Sequence, residues 1–241
     1  KKWITYGHTP ILGDFTAVLT LIKSTDESYA MLMDYTYASG QEYKARGIAV
    51  VYGESELRAS FTVNGVKYRQ ILHINPKTNS FEGRMFEALH PENGSTLVGK
   101  AKDSKETTLL AVYPKAVKAG TKETISIVGT NLSGNVKLPS SLKVLSTIKH
   151  TDNEIVLDVI ANKNVKTFDG SISIGAKTFK NSLAVYDKVD YIKVTPDYAI
   201  SRIGGDEGKD KILKEYATFE AIGYLNGKDR KKGTDDDVEL G

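Results

Sequence analysis

The chain has 241 residues, of which 40% are hydrophobic and 26% charged, and its net charge of +3 is the small surplus of 33 basic over 30 acidic side chains. That is the make-up of a globular protein of one or two domains; the scattering of Lys and Arg among acids argues against a nucleic-acid-binding face, which needs them clustered on one element. Cysteine is absent, which excludes disulfides, thiolate metal sites, cysteine nucleophiles and haem attachment through C-x-x-C-H.

No window approaches about 18 apolar residues, so no membrane span is expected. The opening Lys1-Lys2-Trp3 is not followed by the apolar core of a secretory signal. If the protein is exported, its targeting segment lies outside these residues. Thirteen tyrosines, with abundant Thr and Val, tilt the chain toward strands.

Residues 1–105 read as an antiparallel meander. Strand-like runs cover residues 15–22, 29–37, 43–52, 57–63, 66–72, 81–89 and 95–100, separated by polar turns. The clearest signal is Asn64-Gly65 between two alternating segments, because a type I′ hairpin turn needs positive φ at both central positions. Six or more short strands at hairpin spacing suit an up-and-down barrel. No amphipathic helix pattern of convincing length is present, so the fold class is all-β.

Residues 101–108 are charged and polar without an apolar period, and read as a linker. The apolar run 109–112 then ends at Pro114, which cannot donate to a central ladder and so marks a strand end or edge. Strands are expected at 124–129, 142–150, 154–161, 170–174 and 178–186. Both faces of residues 154–161 are largely apolar (Ile155, Leu157 and Val159 on one, Val156 and Ile160 on the other), so this strand should be central. A weaker copy of the Pro114 landmark recurs at Tyr191-Ile192-Lys193-Val194-Thr195-Pro196. The spacing is about that of one immunoglobulin-like sandwich with its linker. The expected domains are therefore a barrel at 1–105, an immunoglobulin-like β-sandwich at 106–187, and the start of a further β-sandwich at 188–241. The last segment contains a Gly-rich stretch, Gly204-Gly205-Asp206-Glu207-Gly208, and a strand near 216–225. Two or three strands are too few to bury an independent core.

Catalytic signatures are missing. His8, His73, His90 and His150 have no short ligand spacing, and none sits beside a plausible nucleophile. No G-x-S-x-G, phosphate-binding P-loop or dinucleotide fingerprint occurs. The tail is the one local metal motif: Asn226, Asp229, Asp235 and Asp237, with Asp236, supply hard oxygen ligands around two glycines, the composition of a calcium loop. The spacing does not fit an EF-hand, and Lys228, Arg230, Lys231 and Lys232 oppose a cation; a long polar β-turn loop is the better reading. The aromatics Tyr29, Tyr35, Tyr37, Tyr43 and Tyr52 are candidates to line a barrel mouth for a ligand, although small barrels are often simply filled by side chains.

The chain also resembles a known family, the quinohemoprotein amine dehydrogenase alpha subunit. Trp3 with Gly7, the segment Gly47-Ile48-Ala49-Val50-Val51-Tyr52-Gly53, Leu57-Arg58-Ala59, Arg69-Gln70-Ile71-Leu72 and Phe81-Glu82-Gly83-Arg84-Met85-Phe86 resemble its second domain. Leu110-Ala111-Val112-Tyr113-Pro114 with Val128-Gly129-Thr130-Asn131-Leu132 resembles the third. The run from Tyr186 to Pro196, Arg202-Ile203-Gly204-Gly205 and the stretch from Phe219 to Gly227 resemble the start of the fourth. The resemblance implies a periplasmic enzyme of three different subunits that oxidises primary amines. It also implies two c-type haems in the first alpha-subunit domain and a cysteine–tryptophan-derived quinone in a small subunit. Without a C-x-x-C-H the haem domain has no counterpart here, so neither haem nor quinone is expected in this chain. The expected role is that of a non-catalytic scaffold and docking region whose partners are the other subunits of the complex. The alternative is an exported binding module, a lipocalin-like barrel plus an immunoglobulin-like domain, for a small ligand or a glycan.

Overall fold

A computed structural model describes residues 1–201 and 216–240, all in strands, turns and loops, with no helix among them. The Gly-rich stretch Gly204–Gly208 lies outside the described residues. Two compact units emerge, Lys1–Asp103 with Pro196–Glu220, and Ser104–Thr195 with Ala221–Gly241.

The first unit is a closed barrel of eight antiparallel strands in sequence order. They are β1 (Lys2–Thr9), β2 (Gly13–Lys23), β3 (Ser28–Tyr37), β4 (Glu42–Tyr52), β5 (Glu56–Val63), β6 (Val66–Asn75), β7 (Ser80–Glu87) and β8 (Gly94–Ala101). Each joins its neighbour by a hairpin, and β1 pairs with β8 from Trp3↔Ala101 to His8↔Thr96, which removes the open edges. Between β5 and β6 the register closes on Val63↔Val66, with Asn64 at φ 50° and Gly65 at φ 82°. Those are the two positive φ values a type I′ turn requires. Alternation decides what fills the barrel. Leu57, Ala59, Phe61 and Val63 point in, while Arg58, Ser60 and Thr62 point out. Phe15, Leu19, Met31, Met33, Leu57, Leu72 and Leu97 are almost fully buried. The largest rings need room made for them: Phe15 lies opposite Gly7 and Phe81 opposite Gly99. A Cβ on either glycine would stand within 2.3 Å of the facing ring, so these positions read as space reserved for an aromatic.

Strand β1 was not anticipated. Its inward face carries Trp3, Thr5 and Gly7, all buried, while buried Ile4 lies on the opposite face, so the hydrophobic alternation is scrambled.

The second unit opens with β9 (Thr108–Tyr113), β10 (Ala116–Lys118), β11 (Lys122–Thr130), β12 (Val136–Lys137), β13 (Leu142–His150) and β14 (Glu154–Ala161). One sheet runs β13-β14-β11-β9. β14 is interior, as its two apolar faces predict, and β9 lies at the edge, as Pro114 predicts. β13 is the other edge; two register irregularities, between Val144/Ser146 and Thr147/Lys149, interrupt its ladder, a device that blunts an edge against foreign strands. Next come β15 (Ile172–Ile174), β16 (Lys177–Phe179) and β17 (Ala184–Tyr186), with β12-β15-β16 as a second sheet and β10 parallel to β17. The sheets share one core, including Val112, Ile125, Ile127, Ile155, Leu157, Val159, Ile172 and Val185. The single strand expected at 178–186 is therefore two. Asn181 takes φ 53° and breaks the run, and the pieces join different sheets.

Three further strands, β18 (Tyr191–Thr195), β19 (Glu220–Leu225) and β20 (Val238–Glu239), form a small sheet in that order. Leu225 and Leu240 are buried with Ala116 and Ala184 of β10 and β17. The segment thus docks on the second module, one of the routes open to a few strands without a core of their own.

Candidate functional site

Among the described residues no group of three or more His, Asp, Glu or Cys is gathered that could hold a metal ion. In the tail loop between β19 and β20 the acids fasten the backbone. Asp236 Oδ2 accepts N–H bonds from Lys228 (2.6 Å) and Asp229 (3.2 Å). Asp237 accepts from Gly227 (3.1 Å), Gly233 (2.7 Å) and Thr234 (3.2 Å), and the Tyr191 hydroxyl donates to it at 2.6 Å. Asp229 Oδ1 accepts from Lys231 N–H at 2.7 Å. Hydrogen bonds to the ionised form hold two of these carboxyls below their ordinary range. For Asp237 the Tyr191 hydroxyl contributes most, and for Asp236 the Thr234 hydroxyl. The same Asp237 bond pushes the Tyr191 phenol up to about 12. Asp235 is exposed. Asn226 gives its N–H to Asp190 Oδ2 at 2.9 Å, and its Oδ1 is buried without a partner. In the loop Asp229, Asp236 and Asp237 each accept backbone N–H donors, which compete with a cation for the same lone pairs.

The histidines are also separate. His150 Nε2 lies 3.0 Å from the Leu132 carbonyl and His90 Nδ1 3.1 Å from Glu92. His8 is the exception. Its Nδ1 is 2.9 Å from Asp14 and its Nε2 2.7 Å from Glu220. Two carboxylates can both be satisfied only if both ring nitrogens carry protons, so the imidazolium is favoured. Its pKa is raised, chiefly by the Asp14 hydrogen bond and against the cost of burial, with Glu220 adding to it. The sequence separation of Glu220 hides this clamp from any local motif.

The barrel mouth is the one site that sequence reasoning partly located. At the end where β3 stops and β4 starts, Tyr35 stacks on Tyr43 with ring centroids 5.3 Å apart, and Phe15 and Tyr37 complete the cluster at 5.1–5.9 Å. Tyr29 packs against the core near the start of β3, and Tyr52 is exposed beneath Arg58; neither belongs to this mouth. Tyr68 does, and it was missed. The Asn64-Gly65 turn fixes Phe61 opposite Tyr68 on the inner face, so counting back from that hairpin finds it. Tyr35, Tyr37 and Tyr68 border a cavity of about 230 Å³ that Ile11, Leu12, Met85 and Glu87 also line. Burial raises the pKa of all three phenols, to about 12 for Tyr37, so their rings stay neutral.

Comparison with known families matches the chain, in order, to three consecutive domains of one subunit. Residues 1–102 match quinohemoprotein amine dehydrogenase, alpha subunit domain II; residues 106–187 match its domain III and residues 192–241 its domain IV. The chain belongs to the quinohemoprotein amine dehydrogenase alpha subunit family. A comparison with curated proteins gives no match. Among solved structures, a redesigned β-barrel, mFAP1, bound to DFHBI is 16% identical with a TM-score of 0.34, covering 41% of this chain and 88% of that one. EF1p2_mFAP2b bound to DFHBI is 13% identical, also at 0.34, over 41% and 87%.

Proposed function

We propose that this chain is the non-catalytic scaffold and docking region of the alpha subunit of a periplasmic amine dehydrogenase complex, which as a whole oxidises primary amines. The observation that carries the reading is the ordered match to alpha-subunit domains II, III and IV. The donor chemistry agrees with it. Covalent haem c and a cysteine-derived quinone both need a thiol, and this sequence has none. The residues present therefore do not fit either group, and both belong to other parts of the complex. What the chain supplies is shape: a closed barrel without sheet edges, a sandwich core, and a small sheet pinned to that core by Leu225 and Leu240. The purified chain should show neither a haem absorption band nor amine-dependent dye reduction. A haem band or turnover in homogeneous protein would refute the reading.

A further inference from the structure

We propose that the tyrosine-walled mouth of the barrel binds a small organic cation. The proposal is independent of the scaffold reading and rests on what surrounds the cavity. Tyr35, Tyr37 and Tyr68 line it, and among the described residues two carboxylates, Glu87 and Glu92, are the only charged side chains in its lining. Among the described residues no Lys, Arg or His contributes to that lining. Aromatic faces and carboxylates both attract positive charge, and such walls are the usual receptor for alkylammonium groups. Glu92 is already anchored, by the His90 ring at 3.1 Å and the Tyr216 N–H at 3.2 Å. Glu87 has no ion-pair partner among the described residues and stands directly opposite Tyr68 across the β6–β7 ladder. It is the carboxylate left to meet a ligand.

A second observation comes from inside the barrel. Gln70 is 1% exposed, and its Oε1 has no hydrogen-bond partner, while Nε2 reaches only the Met33 sulfur at 3.8 Å. Gln70 is the cross-strand partner of Met85, and Met85 in turn of Ser95; both line the cavity. An orphan acceptor in that layer again favours a positive or proton-donating guest over an anion. The exposed side chains of Ile11 and Leu12 form an apolar rim. The volume equals that of roughly eight waters in the liquid, so the guest has about as many heavy atoms as a benzylammonium.

The test is an NMR titration of the whole chain with benzylammonium, with benzyl alcohol and benzoate as neutral and anionic controls. The expected result is saturable shifts of the tyrosine-ring signals, with a dissociation constant on the order of 0.1–1 mM, and at least about tenfold weaker binding of both controls. Glu87→Gln should weaken the cation about fivefold, and Leu12→Lys, at an exposed rim position, should abolish binding, both with unchanged Trp3 emission. No saturable shift by 20 mM cation, on the order of the weakest binding worth the name, overturns the proposal. So does equal binding of benzyl alcohol, or binding that neither substitution alters.

Discussion

Gly99→Ala tests whether the barrel is packed around its aromatics. Gly99 sits across from Phe81 in the β7–β8 ladder, and a Cβ there would lie 2.3 Å from Cε1 and 2.4 Å from Cζ of that ring. Phe81 cannot retreat freely, because it is 4% exposed and packs edge-on against Trp3 with centroids 5.5 Å apart. Overpacking of this kind costs about 1–3 kcal/mol. Alanine recovers about 0.4–1 kcal/mol by restricting the unfolded chain, leaving a net loss of roughly 1–2 kcal/mol. With a urea slope of about 1–3 kcal/mol per M, the midpoint should fall by roughly 0.5–1 M. Trp3 is the only tryptophan and lies in the barrel, so its fluorescence isolates this unit from the second. Adding Phe81→Leu should make the double variant less unstable than the two single losses combined, by about 1 kcal/mol. An unchanged midpoint for Gly99→Ala, or strict additivity, refutes the argument.

Other consequences are open to measurement. Gly65→Val has open space around its Cβ but must take φ 82°, so it should destabilise the barrel by about 1–3 kcal/mol through backbone strain alone; an unaltered melting curve would contradict the type I′ turn. His8 has a raised pKa, so its clamp contributes fully below the unfolded value of about 6.5 and fades as pH rises through the folded value. His8→Gln should therefore cost about 0.5–1 kcal/mol at pH near 5.5, the solvent-screened worth of a partly exposed pair, and progressively less as pH rises through the folded value; a difference that stays constant with pH would contradict the ion pairing. Hydrogen exchange should be faster for Tyr191–Thr195, an exposed strand, than for the buried positions Ile155, Leu157 and Val159. Equal protection would show the small sheet to be as stable as the sandwich core.

Legibility followed the range of the signal. The Asn64-Gly65 hairpin, the edge position of β9 before Pro114 and the interior position of β14 were all readable, because turn chemistry and two-sided apolarity act locally. Strand β1 escaped because Thr5 and Gly7 face inward where alternation expects large apolar groups. The division of β16 from β17 rests on one left-handed asparagine, Asn181, whose preference is shared by many asparagines that break nothing. At the mouth, Tyr35, Tyr37 and Tyr43 were singled out by aromatic density, which also drew in Tyr29 and Tyr52 from elsewhere on the barrel. Only register separates the two groups, and the same register adds Tyr68. The His8–Glu220 clamp joins residues too far apart for any motif.

The central claim, that these domains serve as the scaffold of an amine dehydrogenase complex, is tested most directly by native mass. The chain mixed with the quinone-bearing small subunit should give one stable species whose mass is the sum of the two. A mixture that stays resolved into its separate masses, while the quinone-bearing subunit assembles into an active enzyme without this chain, would contradict it.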